Sequence, residues 1–94
     1  MNIYLLTQNE NNDYDTYDSC VVVAKTAEKA KEIYPCRNYD TPDLYSNKDS
    51  EKYNKWKDFY TWASNPDQVT ATLVGKAAKD QKENTIICAS FNAG

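Results

Sequence analysis

The sequence predicts an α+β domain, an antiparallel four-stranded sheet in the order β-β-α-(α)-β-β with one or two helices packed on one face. Three observations carry this expectation. Runs rich in β-branched and aromatic residues stand at 3–7, 19–24, 69–74 and 85–91. An alanine-rich stretch between the second and third runs repeats its apolar residues at helical spacing. Two runs precede that stretch and two follow it, which leaves helical segments to cover one face of an antiparallel sheet. With 94 residues the chain makes a single domain, 1–94, with room for one modest core.

The elements follow in order. Residues 3–7 are a short apolar strand that ends at the polar cluster 8–13. Residues 19–24 hold three consecutive valines, stiff at χ1 and suited to a pleated sheet. These two strands make a hairpin with a long connection, and the Tyr-Asp repeat at 14–19 sits at its end. Thr26 offers a helix N-cap, and Glu28 places a negative charge in the first turn. Ala27, Ala30, Ile33 and Tyr34 share one helical face, and Pro35 marks the stop. Residues 36–48 read as a loop. Residues 49–62 repeat aromatic residues at helical spacing and are expected as a second helix. Residues 59–62 fit a short strand equally well. Asn65-Pro66-Asp67 is a turn. Residues 69–74 alternate as a strand with one buried face, and Gly75 permits a bend or bulge. A charged connection at 77–83 leads to the last strand, where Ile87, Ala89 and Phe91 are expected on one face and Ile86, Cys88 and Ser90 on the other.

Charge is unevenly spread. Residues 1–24 contain no lysine or arginine but hold Glu10, Asp13, Asp15 and Asp18. The rest of the chain sets ten acids against eleven bases, so the net charge of −3 belongs to this one segment. Tyr14 and Tyr17 lie within it. The chain has eight tyrosines, against two tryptophans and two phenylalanines, more than a core this small needs. Several are therefore expected at a contact surface.

The composition excludes much chemistry. With no histidine there is no Ser-His-Asp or Cys-His catalysis and no His-ligated zinc. Two glycines, one of them terminal, leave no Gly-rich phosphate loop. Asp13, Asp15 and Asp18 invite a calcium loop, but the sixth and twelfth positions counted from Asp13 are Asp18 and Ala24, not glycine and an acid. No enzyme activity, cofactor or metal is expected. Three cysteines at 20, 36 and 88 have no CxxC spacing; Cys20 and Cys88 lie in apolar runs and read as buried. No signal peptide or membrane span is expected, so the host-cell cytoplasm is the expected setting. Lys48, Lys52, Lys55 and Lys57 are interleaved with Asp49, Glu51 and Asp58, which cancels the field that nucleic-acid binding needs. The plain reading of 14–19 is an Asx-rich solvated turn.

Four segments carry a resemblance: 4–8 (YLLTQ), 14–19 (YDTYDS), the alanine-rich helix ending at Pro35, and the tail 89–94 (ASFNAG). Together they resemble a family of small uncharacterised proteins of bacteria and their phages. Tyr17-Asp18-Ser19-Cys20, Trp62 with the strand after it, and Ala89-Ser90 resemble the type II-C anti-CRISPR inhibitors that dock on the HNH nuclease domain. Phe91 stands where the inhibitor has cysteine, and the segment 38–58 is longer here. The resemblance implies that Asp18 and Ser90 plug the active site of an HNH-containing RNA-guided nuclease.

The expected function is thus a phage-encoded inhibitor of a bacterial defence nuclease, with Tyr14 and Tyr17 as aromatic anchors, Asp15 and Asp18 as charges, and Ser90 and Asn92 beside them. The alternatives are a small-ligand or nucleotide-binding accessory protein with tyrosines lining a pocket, and a self-associating protein that pairs an exposed edge strand such as 85–91.

Overall fold

Residues 1–12, 15–35, 39, 42–45 and 61–92 are described by a computed structural model. In chain order they form β1 (Asn2–Gln8), β2 (Thr16–Ala24), α1 (Ala27–Lys31), β3 (Ile33–Tyr34), β4 (Asp43–Leu44), a 3-10 turn (Pro66–Gln68), β5 (Val69–Lys76) and β6 (Ile86–Asn92). The protein is α+β, with a four-stranded antiparallel sheet in the order β5-β1-β2-β6 and one short helix. β3 and β4 pair separately. The expected loop 36–48 lies largely outside the described residues, as does the expected second helix up to residue 60. Thr61 and Trp62, its last two positions, are in neither helix nor strand.

The period of two along β1 sets the faces. Tyr4, Leu6 and Gln8 are buried, while Ile3, Leu5 and Thr7 are half-buried on the other face. The covered face carries the core: Tyr4, Leu6, Tyr17, Cys20, Val22, Val69 and Ile86 from the sheet, with Ala30, Ile33, Tyr34, Tyr45, Trp62 and Ala63 packed over them. Each fully buried aliphatic side chain contributes roughly 1.5–3 kcal/mol of transfer free energy. Tyr34 and Tyr45 meet edge to face at 5.3 Å, and the Tyr45 hydroxyl donates to the Ala63 carbonyl at 2.6 Å. These contacts hold the segments after α1 against the sheet.

Three bulges interrupt the ladders. Against β1, the register passes from Leu73 to Gly75 and leaves Val74 unpaired. Against β6, it passes from Tyr17 to Ser19 and leaves Asp18 unpaired. Within β6 it passes from Cys88 to Ile86 and leaves Ile87 unpaired. A bulge adds one residue and shifts the alternation beyond it. The expected faces of the last strand are corrected on this point. Ile86 is buried with Ala89 packed beside it on the core, and Ile87 is exposed. Cys88, expected in the interior, is exposed opposite Val21. Cys20 is buried as expected, and burial, with Cys88 a lesser influence, pushes its thiol pKa up to about 12.

The helix is shorter than its spacing predicts. Thr26 caps it, its hydroxyl accepting from the Lys29 N–H at 3.2 Å, but α1 ends at Lys31. Ile33 and Tyr34 leave the helix to pair with Leu44 and Asp43. Pro35 disfavours helical geometry at Tyr34, and β-branched Ile33 fits a strand. The turn at 65–67 forms as expected: the Asn65 side chain accepts from the Asp67 N–H at 2.9 Å, and Pro66 begins the 3-10 turn.

Candidate functional site

β2 begins three residues before the expected strand 19–24, and this places residues 16–19 of the Tyr-Asp repeat in the sheet rather than at the end of a hairpin. Thr16 pairs with Asn92, Tyr17 with Phe91 and Ser19 with Ser90. Asp15, at φ 62, turns the chain into β2 and donates its N–H to the Asn92 carbonyl at 2.5 Å. Aspartate is among the residues that accept this left-handed conformation. Asp15, Asp18, Ser90 and Asn92 therefore lie along one seam between β2 and β6. Asp18 is exposed at the bulge and Asp15 at the turn. Among the described residues, neither carboxylate forms an ion pair. The ion pairs that are present, from Lys25 and Lys29 to Glu83 at 3.8 and 3.9 Å, involve other segments.

Tyr17 is the correction at this site. It is 4% exposed and belongs to the core, so its ring is not an anchor offered to a partner. The Asp18 bulge keeps Tyr17 on the covered face, opposite Phe91, with ring centroids 4.8 Å apart. The aromatic ring that reaches the surface here is Phe91, 37% exposed. Tyr14 lies outside the described residues.

Gln8 is the residue that sequence reasoning missed. It is 8% exposed, and its amide makes four hydrogen bonds. Nε2 donates to the Asn11 carbonyl at 2.7 Å and the Tyr17 carbonyl at 3.1 Å. Oε1 accepts from the Glu10 and Asn11 N–H groups, both at 2.9 Å. The Tyr17 N–H donates to the Thr61 carbonyl at 2.8 Å. The β1–β2 register ends at Thr7 and Ser19, so the Gln8 amide and Thr61 satisfy backbone groups of Tyr17 beyond it. The signal was a polar residue at the next inward position after Tyr4 and Leu6.

Glu10 is absorbed by a structural contact. Its carboxylate accepts from the Ser64 N–H at 3.0 Å and the Ser64 hydroxyl at 2.7 Å. These bonds, the backbone one first, hold its pKa below the ordinary 4.5, against a small opposing effect of burial. A carboxyl lowered by folding adds stability above its unfolded pKa and loses it as pH falls through its folded pKa. The contribution of Glu10 is thus complete above about pH 4.5 and fades below it. Urea titrations of wild type and Glu10→Gln across that range are expected to converge as pH falls. The side chain is exposed, so the gap is small.

Surface hollows are present among the described residues. One is lined by Lys29, Glu32, Leu44, Glu83 and Asn84, another by Ile3, Ala78, Gln81, Thr85, Ile86 and Ile87. Among the described residues, neither lining includes a tyrosine, which the ligand-pocket alternative expected. No helix among the described residues is long and apolar enough to cross a membrane. No protein-family model, curated protein or solved structure matches the chain.

Proposed function

We propose that this is a non-catalytic, phage-encoded binding protein that docks the acidic β2–β6 seam on a basic surface of a bacterial defence nuclease and blocks it. One observation carries the reading: Asp15, Asp18, Ser90 and Asn92, distant in sequence, are neighbours along one seam. The two short motifs behind the anti-CRISPR resemblance also pair directly, Ser19 with Ser90 and Cys20 with Ala89. Residues 14–24 and 84–92, which contain the seam, hold no lysine or arginine. A cation-free acidic edge suits the positively charged groove that a nuclease presents to nucleic acid, and it speeds encounter in a salt-dependent way. An HNH-containing RNA-guided nuclease is the partner class that the resemblance adds.

The test is binding and cleavage with purified HNH-containing nucleases. Wild type is expected to bind, to inhibit cleavage, and to associate more slowly as salt rises. Asp18→Lys is expected to weaken binding about tenfold or more while leaving stability unchanged within about 0.5 kcal/mol. Equal binding by the two proteins would rule out this surface.

A further inference from the structure

The sheet has two edges, and they are not equivalent. At the β6 edge, the Ile86 N–H is taken by the Tyr39 carbonyl at 2.8 Å. At the other edge, β5 has β1 as its single strand neighbour. At its first residue the Val69 N–H donates to the Pro66 carbonyl of the 3-10 turn, and among the described residues no backbone group outside the sheet bonds to β5 from Thr70 to Lys76. Natural edge strands are usually shielded by charge, proline, a bulge or shortness. β5 is eight residues long and holds no proline and no charge before Lys76. Its bulge at Val74 leaves Val69–Leu73 as an uninterrupted five-residue ladder.

The side chains along this edge are incompletely covered. Leu73 is 60% exposed and Val74 56%, although Leu73 lies opposite buried Tyr4 in the ladder. Thr70 and Thr72 are exposed. The uncharged stretch from Gln68 to Gly75 is bracketed by Asp67 and Lys76, both exposed. That pattern is complementary to itself in one direction only. A parallel pairing of two β5 strands sets Asp67 beside Asp67 and Lys76 beside Lys76. An antiparallel pairing sets each Asp67 toward the other copy's Lys76.

We infer that the β5 edge is a self-association surface whose occupant is β5 of a second copy of this chain. The strands pair antiparallel about a two-fold axis at Ala71, the midpoint of the bulge-free ladder. In that register Leu73 lies opposite the second copy's Val69 on the covered face, and Thr70 lies opposite its Thr72 on the other face. Both are favourable cross-strand pairs. The two sheets then continue as one of eight strands, and the contact is isologous, as a two-fold requires. A strand-edge contact buries a small area, so the dimer is weak and concentration-dependent, with a Kd roughly micromolar or above.

Sedimentation velocity over a concentration series tests this, with reductant present because Cys88 is exposed. The mass of wild type is expected to rise from one chain toward two. Leu73→Lys is expected to raise the dimer Kd about tenfold or more. Asp67→Lys alone is expected to weaken the dimer, and the double variant Asp67→Lys with Lys76→Asp to restore it. All three side chains are exposed, and unchanged melting of each variant confirms an intact fold. A chain that stays monomeric throughout overturns the inference. So does a dimer that Leu73→Lys leaves intact, or one that the double variant fails to restore. The result is independent of nuclease binding, which uses the opposite side of the sheet.

Discussion

Replacing Tyr17 by alanine is expected to lower the free energy of unfolding by about 3–5 kcal/mol. That is a large share of the roughly 5–15 kcal/mol available to a small domain. The ring is buried at 4% exposure, in the same core as Cys20 and Val22, and it meets the Phe91 ring at a tilt of 52°. Alanine removes those contacts and leaves a cavity beneath the seam. A urea titration reads the effect as a lower midpoint at unchanged slope. Loss of partner binding by this variant would therefore report unfolding. A cost below about 1 kcal/mol would contradict the packing described here. Asp18→Lys, at an exposed bulge position, probes the surface without this complication.

Gln8→Ala is expected to cost about 2–4 kcal/mol, since four hydrogen bonds of a buried side chain are lost. The loss is local as well as global. Glu10 and Asn11 both donate to Gln8 Oε1, so their amides are expected to exchange with solvent much faster in the variant. Amide hydrogen exchange followed residue by residue checks this. Undiminished protection of both amides would show that the connection after β1 is held by something other than Gln8.

The strands were legible because a period of two reports a half-buried face directly. β1, β5 and β6 fall within two residues of their β-branched runs. What was not legible depends on contacts distant in sequence. Residues 16–18 look like a turn by composition and become strand because β6 supplies Asn92 and Phe91 as partners for Thr16 and Tyr17, with Asp18 taken in as a bulge. Ile33 and Tyr34 have helical spacing and leave the helix because β4 pairs with them. The burial of Tyr17 and the exposure of Cys88 both follow from bulges, and a bulge belongs to a pair of strands rather than to either one. For the site, the acidic segment and the terminal Ser90 and Asn92 could be singled out, and their adjacency could only be posed as a question. The error lay in treating Tyr17, a tyrosine among aspartates, as a surface residue. An amphipathic ring serves a core as readily as an interface.

The bulges also determine where this protein can change length. Elsewhere in a strand, loss of one codon turns every following side chain to the opposite face. At Asp18 the extra residue is already unpaired, and its removal returns Tyr17 and Phe91 to the same facing positions in a regular ladder. A gene lacking the Asp18 codon should still encode a folded domain, whereas one lacking the Val21 codon should not. If Asp18 can be discarded without cost to the fold, the bulge is a place where the surface can change while the core beneath it stays fixed.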